Sequence, residues 1–289
     1  MNILCNIFRP APILNMKIKF ITYGDLNYKD SLQRIQKEAE SIGIFNEIHI
    51  YTPEKLPSPF QEYTTQYKRG GGYWLWKPWV IQDALNKADK DDIIIYADAG
   101  CTLLKHKDWF RYFDILKYKE GIFFVTSGRN KKWCKREVFS FFQTKNNLWK
   151  FANQIQATFI IIKKTSNNDI IRQWCHLAEL HPHLFIDVNS KEIYKEEKGF
   201  KEHRHDQSVL TACICTSKHL SHYCLLPVKM EKRYIHGQAV LASRISSTSI
   251  RGANISTPAK TKAATFFDNI FVNPFRIFST RLLFKLSKL

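Results

Sequence analysis

The chain is short of acid. Only 26 Asp and Glu stand against 44 Lys and Arg in 289 residues, a formal net charge of +18. That imbalance disfavours basic partners and points to polyanions: nucleic acid, an anionic membrane face or phosphate-bearing molecules. No apolar run reaches the roughly 18 residues that a spanning helix needs, so no transmembrane segment is expected. The seven cysteines are odd in number and scattered. They form no disulfide framework, which favours a reducing compartment. The opening stretch MNILCNIFRPAPILN is apolar but broken by Pro10 and Pro12, so it is not read as a signal peptide. Helix-turn-helix, zinc-finger and RNA-recognition signatures are missing, so no nucleic-acid partner is expected, and a basic nucleic-acid-binding protein stands as the alternative reading of the charge. Glycine is sparse at 11 residues, yet three fall together at 70–72.

Apolar residues make up 44% of the chain, enough for a core in one large domain. Apolar runs and helical stripes alternate through the first hundred residues. Residues 17–24 read as a strand, 28–43 as a helix closed by Gly43, and 47–53 as a second strand. Residues 54–72 carry loop signals. A helix starts around Pro78, and DDIIIYAD is a strand covered on both faces, ending at Asp98. Further strands are expected at 121–127 and 157–165, with helices at 107–117, 133–142, 168–180 and 203–214. The order predicts an α/β, Rossmann-like domain with a mostly parallel central sheet. The expected divisions are an N-terminal extension (1–16), a catalytic domain (17–240), a Ser/Thr-rich linker (241–263) and a basic amphipathic segment (264–289).

In such sheets ligands bind beyond the carboxyl ends of the strands. Tyr23 and Asp25 follow the first strand, and Asp98 closes the third. Between the second and third lies RGGGYWLWKPWV. Its Trp74 and Trp76 suit stacking on a base or a sugar face, and Arg69 and Lys77 suit a diphosphate. The three glycines suggest a loop that opens and closes. Trp79 is read as packing. The segment CICTSKHLSHYC holds zinc-type ligands, but its C-x-C spacing is tighter than usual pairs and no second distant pair is evident, so zinc is not expected.

The run IIIYADAGCTLL resembles the D-x-D strand end of GT-A glycosyltransferases, and HRHDQSVL (203–210) resembles their D-Q-x-x-L stretch. RGGGYWLWKP taken with YADAGC is similar to polysaccharide-locus glycosyltransferase-like proteins. The resemblance spans residues 17–240. It implies a nucleotide-sugar donor held by Tyr23, Asp25, Arg69, Trp74, Trp76, Lys77, Asp98 and Gly100. It also implies Asp206 and Gln207 at the reacting sugar. A Mn or Mg ion would sit on Asp98, with His236 in RYIHGQ as a further ligand. The pattern departs at Gly100, where the family carries its second carboxylate, so the need for metal is left open. The implied acceptor is a glycan or glycolipid of a cell-surface polysaccharide or lipopolysaccharide. Gly100 also leaves open a protein that binds donor without turning it over.

At the C-terminus Phe275, Phe278, Leu282, Leu286 and Leu289 form one helical stripe, accompanied by Arg276, Arg281, Lys285 and Lys288. A basic amphipathic helix of this kind predicts binding to an anionic membrane surface, with the protein peripheral to the inner, cytoplasmic face. The competing expectation is that the stripe packs against the domain.

Overall fold

The computed structural model describes residues 16–231, 238–247 and 261–289. The described strands are β1 (Ile18–Tyr23), β2 (Glu47–Tyr51), β3 (Ile93–Ala97), β4 (Thr102–Leu103), β5 (Gly121–Arg129), β6 (Asn153–Lys163), β7 (Tyr223–Pro227) and β8 (Val240–Leu241). A six-stranded sheet runs in the order β2-β1-β3-β6-β5-β7, and β4 pairs with β8 separately. β1 is parallel to β2 and β3, and β5 is parallel to β7, while β6 runs against both β3 and β5. The reversal has a simple cause. Arg129 at the end of β5 pairs with Asn153 at the start of β6, so the chain between them never crosses to the other end of the sheet.

The fold is the expected α/β type with a mostly parallel sheet. Alternation along each strand divides the core in two. Ile21, Tyr23, Ile94, Tyr96, Phe123, Val125 and Ile160 face one layer, which holds helices Trp76–Asn86, Asp169–Leu180 and His205–Thr216. Ile18, Phe20, Ile93, Ile95, Phe124, Phe159 and Ile161 face the other, under helices Lys29–Ile42 and Asp108–Leu116. At the foot of the sheet, buried Asp92 accepts from the Lys17 and Asp89 amides and lies 3.1 Å from Lys19 Nζ. A carboxylate so surrounded fixes where β3 begins.

Two expectations are corrected. The supposed loop 54–72 contains a helix, Ser58–Gln66, started by Pro59 in its first turn. Phe60 is its one buried residue, so it shows no apolar stripe. The supposed linker begins within packed structure. Ile245 donates to the Gly100 carbonyl at 3.1 Å, Ser31 Oγ donates to the Ile245 carbonyl at 2.9 Å, and Ser247 donates to the Asn27 carbonyl at 2.8 Å. Residues 223–227 form the edge strand β7, preceded by buried Cys213 and Cys215 on a core helix.

The C-terminal helix Asn273–Leu286 docks on the body through buried Asn273, Thr280 and Phe284. Arg281 Nη2 donates to the Tyr223 carbonyl at 3.1 Å, and Lys288 Nζ donates to the Ser217 carbonyl. Its other face is bare: Phe275, Phe278, Leu282 and Leu289 are exposed, as are Phe266, Phe267, Ile270 and Phe271 just before it.

Candidate functional site

A cleft of about 730 Å³ opens beyond the carboxyl ends of β1 and β3. Its lining includes Tyr23, Asp25, Arg69, Trp74, Trp76, Asp98 and Gly100, seven positions expected from the sequence. Lys77 and Asp206 lie directly beneath Asp98.

The floor is an ion triad. Lys77 Nζ is 3.1 Å from Asp98 Oδ1 and 2.7 Å from Asp206 Oδ2. Tyr96 Oη donates to the same Asp98 oxygen at 2.6 Å. Lys77 and Asp206 are buried, and Asp98 is half-buried at the cleft surface. Burial opposes the Lys77 charge, but Asp206 and Asp98 together outweigh it and hold its pKa above the usual lysine value. Burial and the adjacent Asp98 push the Tyr96 phenol far up, so it stays a donor. Lys77 is therefore not placed to meet a diphosphate in the open cleft, as its position in the aromatic segment suggested.

The wall is aromatic, and its geometry explains the glycines. Gly70, Gly71, Gly72, Tyr73 and Trp74 have φ of 60°, 53°, 91°, 53° and 57°, a continuous left-handed turn. The Tyr73 amide donates to Arg69 and the Trp74 amide to Gly70, at 2.8 and 3.3 Å. Each L-residue in that region costs roughly 1–2 kcal/mol, which glycine avoids. Space reinforces the requirement. A Cβ on Gly70 would lie 2.4 Å from the Trp74 ring, and one on Gly72 would lie 2.9 Å from the Tyr63 backbone. The glycines thus serve a built turn. The turn sends Trp74 onto His205, with ring centroids 5.2 Å apart, and Trp76 onto Tyr23 at 3.8 Å. Trp76 Nε1 donates back to the Gly70 carbonyl at 3.1 Å. Trp79 packs edge-on to Tyr51, away from the cleft lining.

His205 also has a left-handed backbone, φ 37°. Its Nδ1 donates to the Phe185 carbonyl at 2.7 Å, and burial lowers its pKa to about 4, so the ring is neutral. Arg69 bridges Asp187 at 3.2 Å and Glu202 at 3.4 Å, tying the turn to the chain before His205.

Gln207 is not on the lining. Its Nε2 donates to Gln154 Oε1 at 2.6 Å. Gln156 and Thr158 of β6 line the cleft instead, together with Lys68 and Arg244. Gln156 and Thr158 could have been found by counting back along β6 from its pairing with Ala97, had the reversal been known. Arg244 lay hidden in the supposed linker. His236 falls outside the described residues. For the rest, the donor set fits a divalent ion poorly. Asp98 already bonds Tyr96 and Lys77, and no three His, Cys, Asp or Glu side chains gather among the described residues.

Substituting the first two glycines separates backbone strain from contact. Gly71→Ala meets nothing closer than 3.6 Å, so it loses only the left-handed strain, about 1 kcal/mol. Gly70→Ala adds the collision with Trp74 and is expected to lose at least about 2 kcal/mol more. Urea unfolding at unchanged m-value measures both; equal losses would contradict the packing described.

No family model and no curated protein matches the chain. Several solved structures resemble it. One is a glycosyltransferase involved in glycosylation of the major capsid of PBCV-1, at 14% identity and TM-score 0.37, covering 62% of this chain and 75% of that one. The WbbM bifunctional glycosyltransferase has 10% identity and TM-score 0.43, covering 78% and 41%. The galactosyltransferase LgtC, in complex with donor and acceptor sugar analogues, has 13% identity and TM-score 0.34, covering 75% and 74%. The chain thus spans less than half of WbbM, and at such identities and TM-scores no residue's role is carried across from any of them.

Proposed function

We propose that the chain is a glycosyltransferase that takes a nucleotide-sugar donor in the cleft beyond β1 and β3. One observation carries the reading: a cleft that joins stacked rings, an anchored carboxylate and cations in one place. Its volume of about 730 Å³ suits a ligand of nucleotide-sugar size. Half-buried Trp74 offers flat apolar area for a base or the C–H face of a sugar, and Tyr23 and Trp76 line the same cleft as a buried, mutually stacked pair. Asp98 can accept from sugar hydroxyls, while Lys68, Arg69 and Arg244 line the same space for phosphate oxygens. Tyr23 Oη and Gln156 Oε1 are buried with no hydrogen-bond partner among the described residues, as befits atoms awaiting a ligand.

In the reaction the bond from the anomeric carbon to the donor phosphate breaks, its electron pair leaving with the diphosphate. An acceptor hydroxyl oxygen bonds to that carbon, and its proton passes to the departing diphosphate. Asp98 orients the sugar, Asp206 fixes Lys77 behind it, and the cations take the charge growing on the leaving group. Gln207 acts only through Gln154. The acceptor is proposed to be a cell-surface glycan or glycolipid.

A lipid-linked acceptor would suit the C-terminal helix. Its exposed face carries Phe275, Phe278 and Leu282, and the chain's excess of cations favours anionic lipid. The proposal is a peripheral enzyme on the inner, cytoplasmic face of a membrane, with a catalytic body that extends through the packed residues 241–247 and this helix as its foot. No helix among the described residues is long and apolar enough to cross a membrane.

Two experiments check these readings. Purified protein with UDP-, GDP- and CMP-sugars is expected to release nucleotide from one of them, and Asp98→Asn to lower that rate on the order of 10²-fold. Release from none, with or without acceptor extract, would sink the enzyme reading. In co-sedimentation with phosphatidylserine vesicles, the double substitution Phe275→Ser, Phe278→Ser is expected to weaken binding at least about tenfold. Unchanged binding would remove the helix from the membrane contact.

A further inference from the structure

A diphosphate donor needs positive charge at the site, and the cleft supplies it without an ion. A divalent ion at Asp98 would require several oxygen ligands directed at one point. Asp98 Oδ1 is taken by Tyr96 Oη at 2.6 Å and Lys77 Nζ at 3.1 Å. The same ammonium reaches Asp206 at 2.7 Å, so the two nearest carboxylates already share a cation that belongs to the chain.

The neighbouring position is closed as well. A Cβ on Gly100 would lie 3.2 Å from the Ile245 carbonyl oxygen and 3.4 Å from the Arg244 Cα. The hydrogen bond from the Ile245 amide to the Gly100 carbonyl, 3.1 Å, holds that segment down. A side chain there would need that segment to give by a few tenths of an ångström. Glycine is thus what the 244–245 segment permits, and the segment brings a cation in exchange. Arg244 lines the cleft beside Gly100. Its backbone is left-handed, φ 54°, a conformation uncommon for a residue with a side chain. Its Nη2 lies 2.9 Å from Glu231 at the surface, with half the side chain exposed, so the guanidinium can turn to a ligand at little cost.

We infer that this chain binds its phosphate-bearing donor without a divalent cation, Lys77 standing between Asp98 and Asp206 in the ion's place and Arg244 receiving the diphosphate. The inference rests on the transferase reading and goes further by naming the source of charge.

Calorimetric titration of the full chain with UDP, GDP and CMP, first in EDTA and then in millimolar Mn²⁺ or Mg²⁺, tests it. The expected result is binding of one nucleotide with affinities that agree to about twofold in both buffers. Arg244→Ala is expected to weaken it at least about tenfold, as for loss of a charge-assisted hydrogen bond. Binding that needs the divalent ion, or tightens more than about tenfold with it, would overturn the inference and leave the transferase reading standing. Wild-type affinity in Arg244→Ala would overturn the role given to that residue. Binding of none of the three in either buffer would overturn the transferase reading, and the inference with it.

Discussion

The site depends on one buried ammonium. Lys77 enters from helix Trp76–Asn86, Asp98 from the end of β3 and Asp206 from the first turn of helix His205–Thr216. Three elements distant in sequence are fixed to one another through a single nitrogen. A buried ion pair contributes little net stability compared with apolar packing, but removing one partner strands the rest at a cost of about 3–5 kcal/mol. The triad is therefore better understood as a device for position than for stability. It holds the Asp98 carboxylate at the cleft surface with one orientation, and Tyr96 beneath it confirms that orientation with a short hydrogen bond.

The left-handed turn at 70–74 follows from the same constraint. Lys77 reaches the carboxylates only if the helix beginning at Trp76 starts close against the sheet, and the chain arriving from helix Ser58–Gln66 has to reverse tightly to achieve that. A left-handed turn makes the reversal, and three glycines make it affordable in backbone strain. The two rings that follow are then carried to opposite duties. Trp74 covers His205, and Trp76 covers Tyr23. Neutral His205, bonded to Phe185, backs the Trp74 ring from the core. Strain at Tyr73, Trp74 and His205 is thus concentrated where the cleft is built.

Much of this was legible in the sequence. The apolar runs marking β1, β3, β5 and β6 are buried on both faces, so they read clearly, while β2 alternates and buries only Tyr51; the residues at two strand ends mark the cleft. What was not legible is long-range or lacks periodicity. Nothing in NQIQATFIIIK says that β6 runs backwards, because direction is set by its pairing with β5 and β3. Lys77 reads as a cation for phosphate because its spacing shows neither carboxylate above it. Residues 241–263 read as linker because small polar residues dominate, yet amides and hydroxyls within 241–247 bond to Gly100, Asn27 and Asp30. The C-terminal stripe was correctly drawn, but a second face, Asn273, Thr280 and Phe284, does the docking. Polar residues at docking positions defeat a pattern that counts only apolar ones.

The central claim is that a nucleotide lies against the Tyr23–Trp76 wall over a floor whose cation is Lys77. Crystals grown with the nucleoside diphosphate and Mn²⁺, measured at the manganese absorption edge, test it most directly. The account predicts nucleotide density between that wall and Arg244, Lys77 still bridging both carboxylates, and no anomalous peak at Asp98. A manganese peak bound to Asp98 with Lys77 displaced, or nucleotide seated elsewhere, would contradict it.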